Sequence, residues 1–434
     1  MKKAPMYLQV ADRYRKSHKE ISVAEDTYLH VFAPVLMEFV NWVIQTAVDE
    51  GRNRLYFLSR DGYQMYLVAK ELVKAQGLNI ECRYINVSRY ALRLPEYHLM
   101  QEKCLDRICI GGIDVTFEKV MKRAGLDDNE AKEIAKLCGY SEKYKKVISY
   151  RQVLALKEVL GKHGLFFEYV YRHSLERYST AIGYLKQEGL FDEISYAIVD
   201  SGWVGTLHQT LNNLLISGGK KGRIHGYYFG LYEVPKNDKE LYKAYFFEPK
   251  KHVGRKVNFS NSLFEAVFTS TEGMTLRYTK TANGYEPVLC NGKNPNEKFI
   301  HRNITLLLEY IDIYKTQKKQ ECKNSEKIKV VEKLLKKMMG TPSIEEVEAY
   351  GNNMFSDDVL EHSLQKVAAE LSEQEIRNQR FISKALIMLG LKKTIIHESA
   401  WIEGSIVRNG NRVHSNLRHA RLYKYFLYIR KMFR

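Results

Sequence analysis

Two apolar strands that each run into an aspartate and then into a helix govern what this chain can fold into. The first lies in LYFLSRDGY, Leu55 to Tyr63, and the second in YAIVDSGWVGTLHQ, Tyr196 to Gln209. Neither alternates apolar and polar residues as a strand with one wet face does, so both ask for cover on two sides, as in a parallel sheet under helices. Parallel pairing needs a crossover, and a helix-like pattern after each strand supplies one. Because such crossovers are right-handed, the carboxyl ends of the strands gather at one edge. Ser59, Arg60, Asp61 and Gly62 at one tip, and Asp200, Ser201, Gly202, Trp203, Gly205 and Thr206 at the other, are therefore expected beside one cleft.

The surrounding pattern completes two β-α-β units. Between Ala33 and Glu50, apolar residues at 35, 36, 39, 40, 43, 44 and 47 follow a helical period, closed by Gly51. A strand at 54–59, a helix at about 63–76 and a strand at about 79–87 come next; a strand at 194–200, a helix at 206–216 and a strand at about 223–231 form the second unit. Residues 100–190 read as helices with short breaks, the pattern weakens into short strand-like pieces after 235, and helices return over 296–400. The expected fold is α/β, with a Rossmann-like parallel sheet, a helical insertion and a C-terminal helical region. Its divisions are 1–99, the first half of the sheet with N-terminal helices; 100–190, the insertion; 191–290, the second half with the segment after it; and 291–434, helices ending in a basic tail.

A formal charge of +17 points to anionic partners: nucleic acid, a membrane surface or phosphorylated small molecules. No helix-turn-helix, zinc finger or aromatic RNA-binding motif is present, which sets nucleic acid aside. Cysteines at 82, 104, 109, 138, 290 and 322 are scattered without a CxxC pair, against a disulfide framework or a zinc site. The N-terminal residues lack a secretory apolar core, and no uncharged apolar run reaches about 18 residues, so a cytoplasmic chain without a membrane span is expected. The lysine-rich run Lys315–Lys337 reads as a solvated helix face. From Arg408 to Arg434 there are eight Lys/Arg and no Asp/Glu, interleaved with Tyr423, Tyr425, Phe426, Leu427, Tyr428 and Phe433. Such a tail fits either peripheral contact with an anionic membrane on its inner face or an ordinary terminal helix packed on the body.

The second loop has parts suited to a sugar phosphate. Gly202 and Gly205 let backbone approach a phosphate, and the helix opened by Thr206 presents unpaired N–H groups and partial positive charge. Thr206 adds a hydroxyl. Asp200 at the strand tip can accept from a vicinal diol or favour a cationic sugar transition state. A glycine turn between strand and helix is also common architecture.

AIVDSGWVGT resembles the phosphate-and-ribose loop of the phosphoribosyltransferases, in which an apolar strand ends in acidic residues followed by a Gly/Thr turn. LYFLSRDGY falls where that family places its pyrophosphate loop. In order, WVIQTAVDEGRNRLYFLSRDGY, YINVSRYALRLPE, YLKQEGLFDEISYAIVDSGWVGTLHQTL and EAVFTSTEG are similar to a module of bacterial surface-polysaccharide gene clusters, often fused to or encoded beside a haloacid dehalogenase superfamily phosphatase. The resemblance covers about residues 25–280. It implies a glycosyltransferase that moves a 5-phosphoribosyl group from phosphoribosyl diphosphate (PRPP) to a lipid-linked glycan acceptor, with inversion, in O-antigen or capsule biosynthesis; a separate phosphatase then removes the 5-phosphate. It further implies Arg60, with Ser59 and the Gly62 backbone, on the diphosphate, and Asp200, Ser201, Gly202, Trp203, Gly205 and Thr206 on the ribose 5-phosphate. Mg²⁺ would arrive on the substrate phosphates. Asp61 has three roles open to it: metal ligand, general base, or a structural part of the loop. Ser88 and Arg89 either border the cleft or act as a helix cap and a surface charge. Glu265 and Glu272, within FEAVFTSTEG, are candidates for the acceptor side or the base.

Two departures stand out. Asp200-Ser201 occupies a place where phosphoribosyltransferases usually carry two adjacent acids, which leaves the metal requirement open. The haloacid dehalogenase nucleophile motif needs two aspartates two residues apart, and neither Asp61-Gly62-Tyr63 nor Asp200-Ser201-Gly202 supplies them. A phosphatase of the same pathway is the alternative that this absence weighs against; a non-catalytic PRPP-binding scaffold for glycan assembly is the alternative that Ser201 favours.

Overall fold

Strand β1 (Arg54–Leu58) is buried along its whole length, and its side chains divide between two covers. Leu55 and Phe57 join one apolar core, Tyr56 and Leu58 another on the opposite face. The computed structural model describes residues 6–432 except 19, 113–114, 236–237, 291–293, 317–323, 356–363, 389–390, 393 and 395. In it β1 is joined by β2 (Glu81–Ile85), β3 (Tyr196–Trp203), β4 (His225–Leu231) and β5 (Tyr242–Phe247) in one parallel sheet of order β2-β1-β3-β4-β5.

One face is covered by α1 (Val23–Asp49) and α2 (Gly62–Ala75), together with α6 (Asn261–Phe268), α7 (Glu297–Lys315) and α8 (Asn324–Gly340), whose Phe264, Leu307, Tyr310, Val331 and Leu335 share its core. The C-terminal helices α7 and α8 are thus part of the main layer. Helix α1 begins at a capping box between Ser22 and Glu25 and widens into a π-helical turn at Tyr28–Phe32. The Ala33 N–H reaches back to the Tyr28 carbonyl there, and Pro34 has no N–H with which to resume the regular pattern at once. By length and composition this helix could cross a membrane, and 72% of its most apolar window is buried inside the protein, as for a core helix. Glu38 interrupts its apolar run, so no uncharged stretch of about 18 residues occurs in it. That carboxyl is itself buried, pushed up in pKa by burial, and lies 3.5 Å from the Lys327 ammonium.

The other face carries α3 (Arg89–Met100), α4 (Gly164–Gln187) and α5 (Thr206–Ser217), through Leu92, Ala181, Leu185, Leu211 and Leu215. Between α3 and α4 the helical insertion closes its own core around Phe117, Met121, Ile134, Leu156 and Phe166. The segment after 235 holds more order than its sequence shows: β5, an edge strand whose exposed Lys243 breaks the apolar run, and an antiparallel hairpin, β6 (Thr275–Thr281) with β7 (Gly284–Leu289).

On α8, Val331, Leu335, Met338 and Met339 are buried while Lys333, Lys336 and Lys337 are exposed, a solvated lysine face. Lys318, Lys319, Cys322 and Lys323 lie outside the described residues. The other cysteines are free. The tail forms α10 (Val413–Met432), after α9 (Phe381–Met388). Leu417 and Ala420 pack inward, Tyr428 stacks on Tyr232 at 5.5 Å, and Lys424 and Lys431 pair with Glu403 and Glu233 at 2.7 Å each. Phe433 and Arg434 lie outside the described residues.

Strand β3 runs three residues past its expected end. Gly202 pairs with Gly230 and Trp203 with Leu231, and the Trp203 carbonyl accepts from the Tyr232 N–H at 2.7 Å. Gly202 therefore sits inside the sheet at φ +110°, where a Cβ would lie 2.5 Å from the Gly230 carbonyl oxygen. Gly202→Ala is expected to destabilise the protein by about 2–4 kcal/mol, through strain and a backbone clash together. Val204→Ala, at a side chain 41% exposed, should stay within about 0.5 kcal/mol. Urea unfolding of both variants checks the pair.

Candidate functional site

The pairing of β1 with β3 stops at Phe57 and Val199, so the two aspartate-bearing ends leave the sheet side by side. A cleft of about 500 Å³ opens above them, reached by Arg60, Asp61, Arg89, Asp200, Thr206 and Glu265. It lies where the strand order reverses between β1 and β3, the place at which parallel sheets expose ligand sites.

Three carboxylates meet here. Asp61 stands immediately before α2 without a side-chain bond to the helix N–H groups, and its Oδ2 accepts the Ser201 hydroxyl at 2.5 Å. Glu265, on α6, accepts the Trp203 indole N–H at 2.5 Å. The Trp203 ring packs against Phe247, Phe259 and Phe264, which makes it a rigid prop for Glu265. Burial pushes the Asp200 carboxyl well above the usual carboxylate range and the Asp61 charge pushes it further, against the Ser201 and Gly202 N–H groups and Arg89. Glu265 is raised in the same way, by burial first and then by Asp61, with Arg89 and the indole N–H opposing. Carboxyls that hold protons near neutrality inside a cleft are suited to proton transfer.

The other expected site residues fall into place around this cluster. Arg60 lines the cleft next to Asp61. Ser59 spends its hydroxyl on the backbone just past β2: Oγ donates to the Val87 carbonyl at 2.7 Å and accepts from the Val87 N–H at 2.9 Å. Ser88 is a helix cap, accepting from the Ala91 N–H at 2.9 Å and donating to the Thr275 carbonyl at 2.6 Å. Arg89, one residue on, is exposed at the mouth. Gly62 allows the first turn of α2 to press on β1, since a Cβ would stand 3.1 Å from the Phe57 carbonyl carbon. Gly205 precedes α5 at φ +62°, its carbonyl held by the Tyr242 hydroxyl at 3.1 Å. Glu272 lines the cleft from across β2 and accepts the Tyr84 hydroxyl at 3.3 Å.

One residue beside this site was not foreseen. Arg93, on α3, is buried and donates from Nη2 to the Thr206 Oγ1 at 3.1 Å. Its signal in the sequence is the four-residue spacing from Arg89 in SRYALRLPE, which puts both on one helix face. Among the described residues no group of three or more His, Cys, Asp or Glu is arranged to hold a metal ion. No family model matches the chain, and no curated protein matches it significantly.

The raised carboxyls fix the sign of a pH dependence. Each group binds its proton more tightly in the folded state, so stability falls as pH rises from the ordinary carboxylate range through the raised values. Glu265→Gln removes one such group while keeping an oxygen for the indole. Relative to the parent, it should gain about 1–3 kcal/mol at pH 8.5 and little at pH 4.5, read by urea unfolding at both.

Proposed function

We propose that the chain is a glycosyltransferase that moves a 5-phosphoribosyl group from PRPP to a glycan acceptor, on a sheet of the phosphoribosyltransferase-like, Rossmann-like kind. The observation that carries this is the meeting of the two strand tips, with Asp61 and Asp200 adjoining, Arg60 and Arg89 beside them, and the α5 N-terminus on the same cleft. A diphosphate leaving group needs cationic donors, and Arg60 at the start of α2 supplies a planar fork next to a helix N-terminus. The α5 N-terminus, opened by Gly205 and Thr206, faces the donor's 5-phosphate. Asp200, at the strand tip between them, accepts from the ribose diol and favours the oxocarbenium-like centre that forms as the diphosphate departs.

Glu265 takes the role of general base. In its deprotonated form it is suited, by its raised proton affinity and its fixed hydrogen bond to Trp203, to receive the acceptor hydroxyl's proton on the face opposite the leaving group. Direct attack then gives inversion, from the α donor to a β-ribofuranoside. The oxygen donors fit Mg²⁺, which Asp61 and Asp200 would hold together with substrate phosphates, since the Asp61 charge that raises the proton affinity of Asp200 is one a divalent cation would relieve. Bound there, the ion supplies charge neutralisation for the diphosphate.

The acceptor would be lipid-linked, and a lipid surface has a complementary face on the protein. Ile382, Leu386 and Met388 of α9 and Leu422, Phe426 and Ile429 of α10 are exposed apolar residues, with Phe381 edge-on to Phe426 and the basic residues of α10 around them. A separate phosphatase acts on the product.

Two measurements test these assignments. Purified protein with PRPP and Mg²⁺ should release pyrophosphate only when lipid-linked glycan is present, and Asp200→Asn should lower the rate on the order of 10²–10³-fold. PRPP binding without release under any acceptor condition would identify a scaffold, and absence of PRPP binding would remove PRPP as the ligand. In flotation with vesicles, the protein should rise with anionic but not zwitterionic lipid, and Phe426→Asp with Ile429→Asp should abolish it; unchanged flotation would refute the lipid-facing role.

A further inference from the structure

Trp203 stands in a backbone conformation that needs holding. Its φ is +79°, in the left-handed region, where a bulky residue costs about 1–3 kcal/mol and persists only if its surroundings fix it. Its carbonyl accepts from two successive amides just past β4, the Tyr232 N–H at 2.7 Å and the Glu233 N–H at 3.2 Å. Its indole N–H is spent on Glu265, and its ring is wedged by Phe247, Phe259 and Phe264. The Tyr232 ring packs on it as well, with centroids 6.0 Å apart.

Tyr232 is in turn covered by α10. The inward stripe of that helix runs through Leu417, Ala420, Lys424, Tyr428 and Lys431 at helical spacing. Tyr428 lies flat on Tyr232, the rings 9° from parallel and 5.5 Å apart, and Lys431 pairs with Glu233 at 2.7 Å. The two residues whose amides hold Trp203 are therefore the two that α10 grips. Burial pushes the Tyr232 hydroxyl well above its ordinary pKa, the Tyr428 hydroxyl comes next, and the Glu265 and Glu403 charges follow, so Glu265 is felt at the second ring of the stack. Leu422, Phe426 and Ile429, given above to a lipid surface, are exposed and lie off this stripe. Tyr428 is not among the residues that line the cleft.

We propose that Tyr428 is a positioning residue for Glu265, acting through Tyr232 and Trp203. The role of Glu265 as general base rests on the transferase assignment above; the link from Tyr428 to Glu265 does not. The groups that face Glu265 are Asp61 before α2, Asp200 on β3, Arg89 on α3 and the Trp203 indole. Burial outweighs each of them, so opening the stack to water lowers the proton affinity of Glu265 toward the ordinary carboxylate range.

Tryptophan emission tests the link, because a carboxylate beside an indole alters its emission more than the protonated acid does. The full-length protein is titrated between pH 4.5 and pH 8.5, and the Glu265→Gln trace is subtracted to remove Trp42 and Trp401. Wild type should show a step with its midpoint well above the ordinary carboxylate range. In Tyr428→Ala, and in Tyr428→Leu, which keeps bulk without a flat face, the midpoint should fall by about one pH unit, tenfold in proton affinity. Tyr428→Phe restores the plate and should return it. A residue that only supports the fold would lower the thermal midpoint and leave the step in place. A step absent from wild type, or one unmoved in both Tyr428→Ala and Tyr428→Leu, would overturn the proposal. With PRPP, Mg²⁺ and lipid-linked glycan, Tyr428→Ala should lower kcat about tenfold with little change in KM for PRPP, and its pH profile should move with the emission. If the step moves while wild type releases no pyrophosphate with any acceptor, the positioning link stands and the transferase assignment falls. If acceptor-dependent release persists with an unmoved step, the transferase stands and the link falls.

Discussion

Parallel strands point their carboxyl ends the same way, and the reversal of winding between β1 and β3 separates the loops that leave those two ends. The rest of the molecule accommodates that geometry. Helix α2 leaves toward one face and α5 toward the other, so their N-termini flank the gap from opposite sides, with Asp61 at one and Thr206 at the other. The far edge of the sheet is closed by a different device. Arg54 ties β1 to Glu81 at the start of β2 and to Asp192 before β3, with its pKa raised by those partners against its own burial. One edge is locked by paired charge, and at the other the Asp61 charge raises the proton affinity of Asp200 and Glu265.

The charges at the open edge lie in two places. Asp61, Asp200 and Glu265 raise proton affinity where strand tips and α6 meet, while Arg89, Arg93 and Arg107 gather against α5. Arg60 and Arg89 also line the cleft beside the carboxylates. Glu96, accepting from Thr210 and Asn213, holds α3 against α5. Carboxyls of raised proton affinity gathered in one cleft are an arrangement functional sites commonly show.

How much of this was legible follows from the range of each interaction. Asp61 and Asp200 could be read because an apolar run that ends in an acid before a helix has few structural solutions, and β1, β2, β3 and β4 with their crossovers came from the same pattern. Ser59 and Ser88 could not be resolved, since a serine at a strand tip looks the same whether its hydroxyl meets a ligand or the backbone of Val87 or Thr275. Strand β5 was hidden because an edge strand carries Lys243 to solvent, and the continuation of β3 because Gly202 and Trp203 look like a turn until Gly230 and Tyr232 are placed beside them. Glu265 stayed ambiguous until the fold set it against Trp203, and Arg93 was hidden in a helical stripe whose partners lie on α5.

Ser201 bears most directly on the chemistry. At its position a second acid would stand next to Asp200, at the tip of a strand where a third and fourth carboxylate already crowd. The hydroxyl instead donates to Asp61, so it fixes a carboxylate from β1 beside Asp200 without adding charge. Two adjacent acids on one strand and two acids from neighbouring strands joined by a serine present a ribose or a cation with a similar set of oxygens. The second arrangement couples them to both crossovers, because displacing α2 moves Asp61 and displacing β3 moves Asp200. On the transferase assignment this turns an apparent loss of an acid into a relocation, and it ties the diphosphate loop mechanically to the ribose loop through one hydrogen bond.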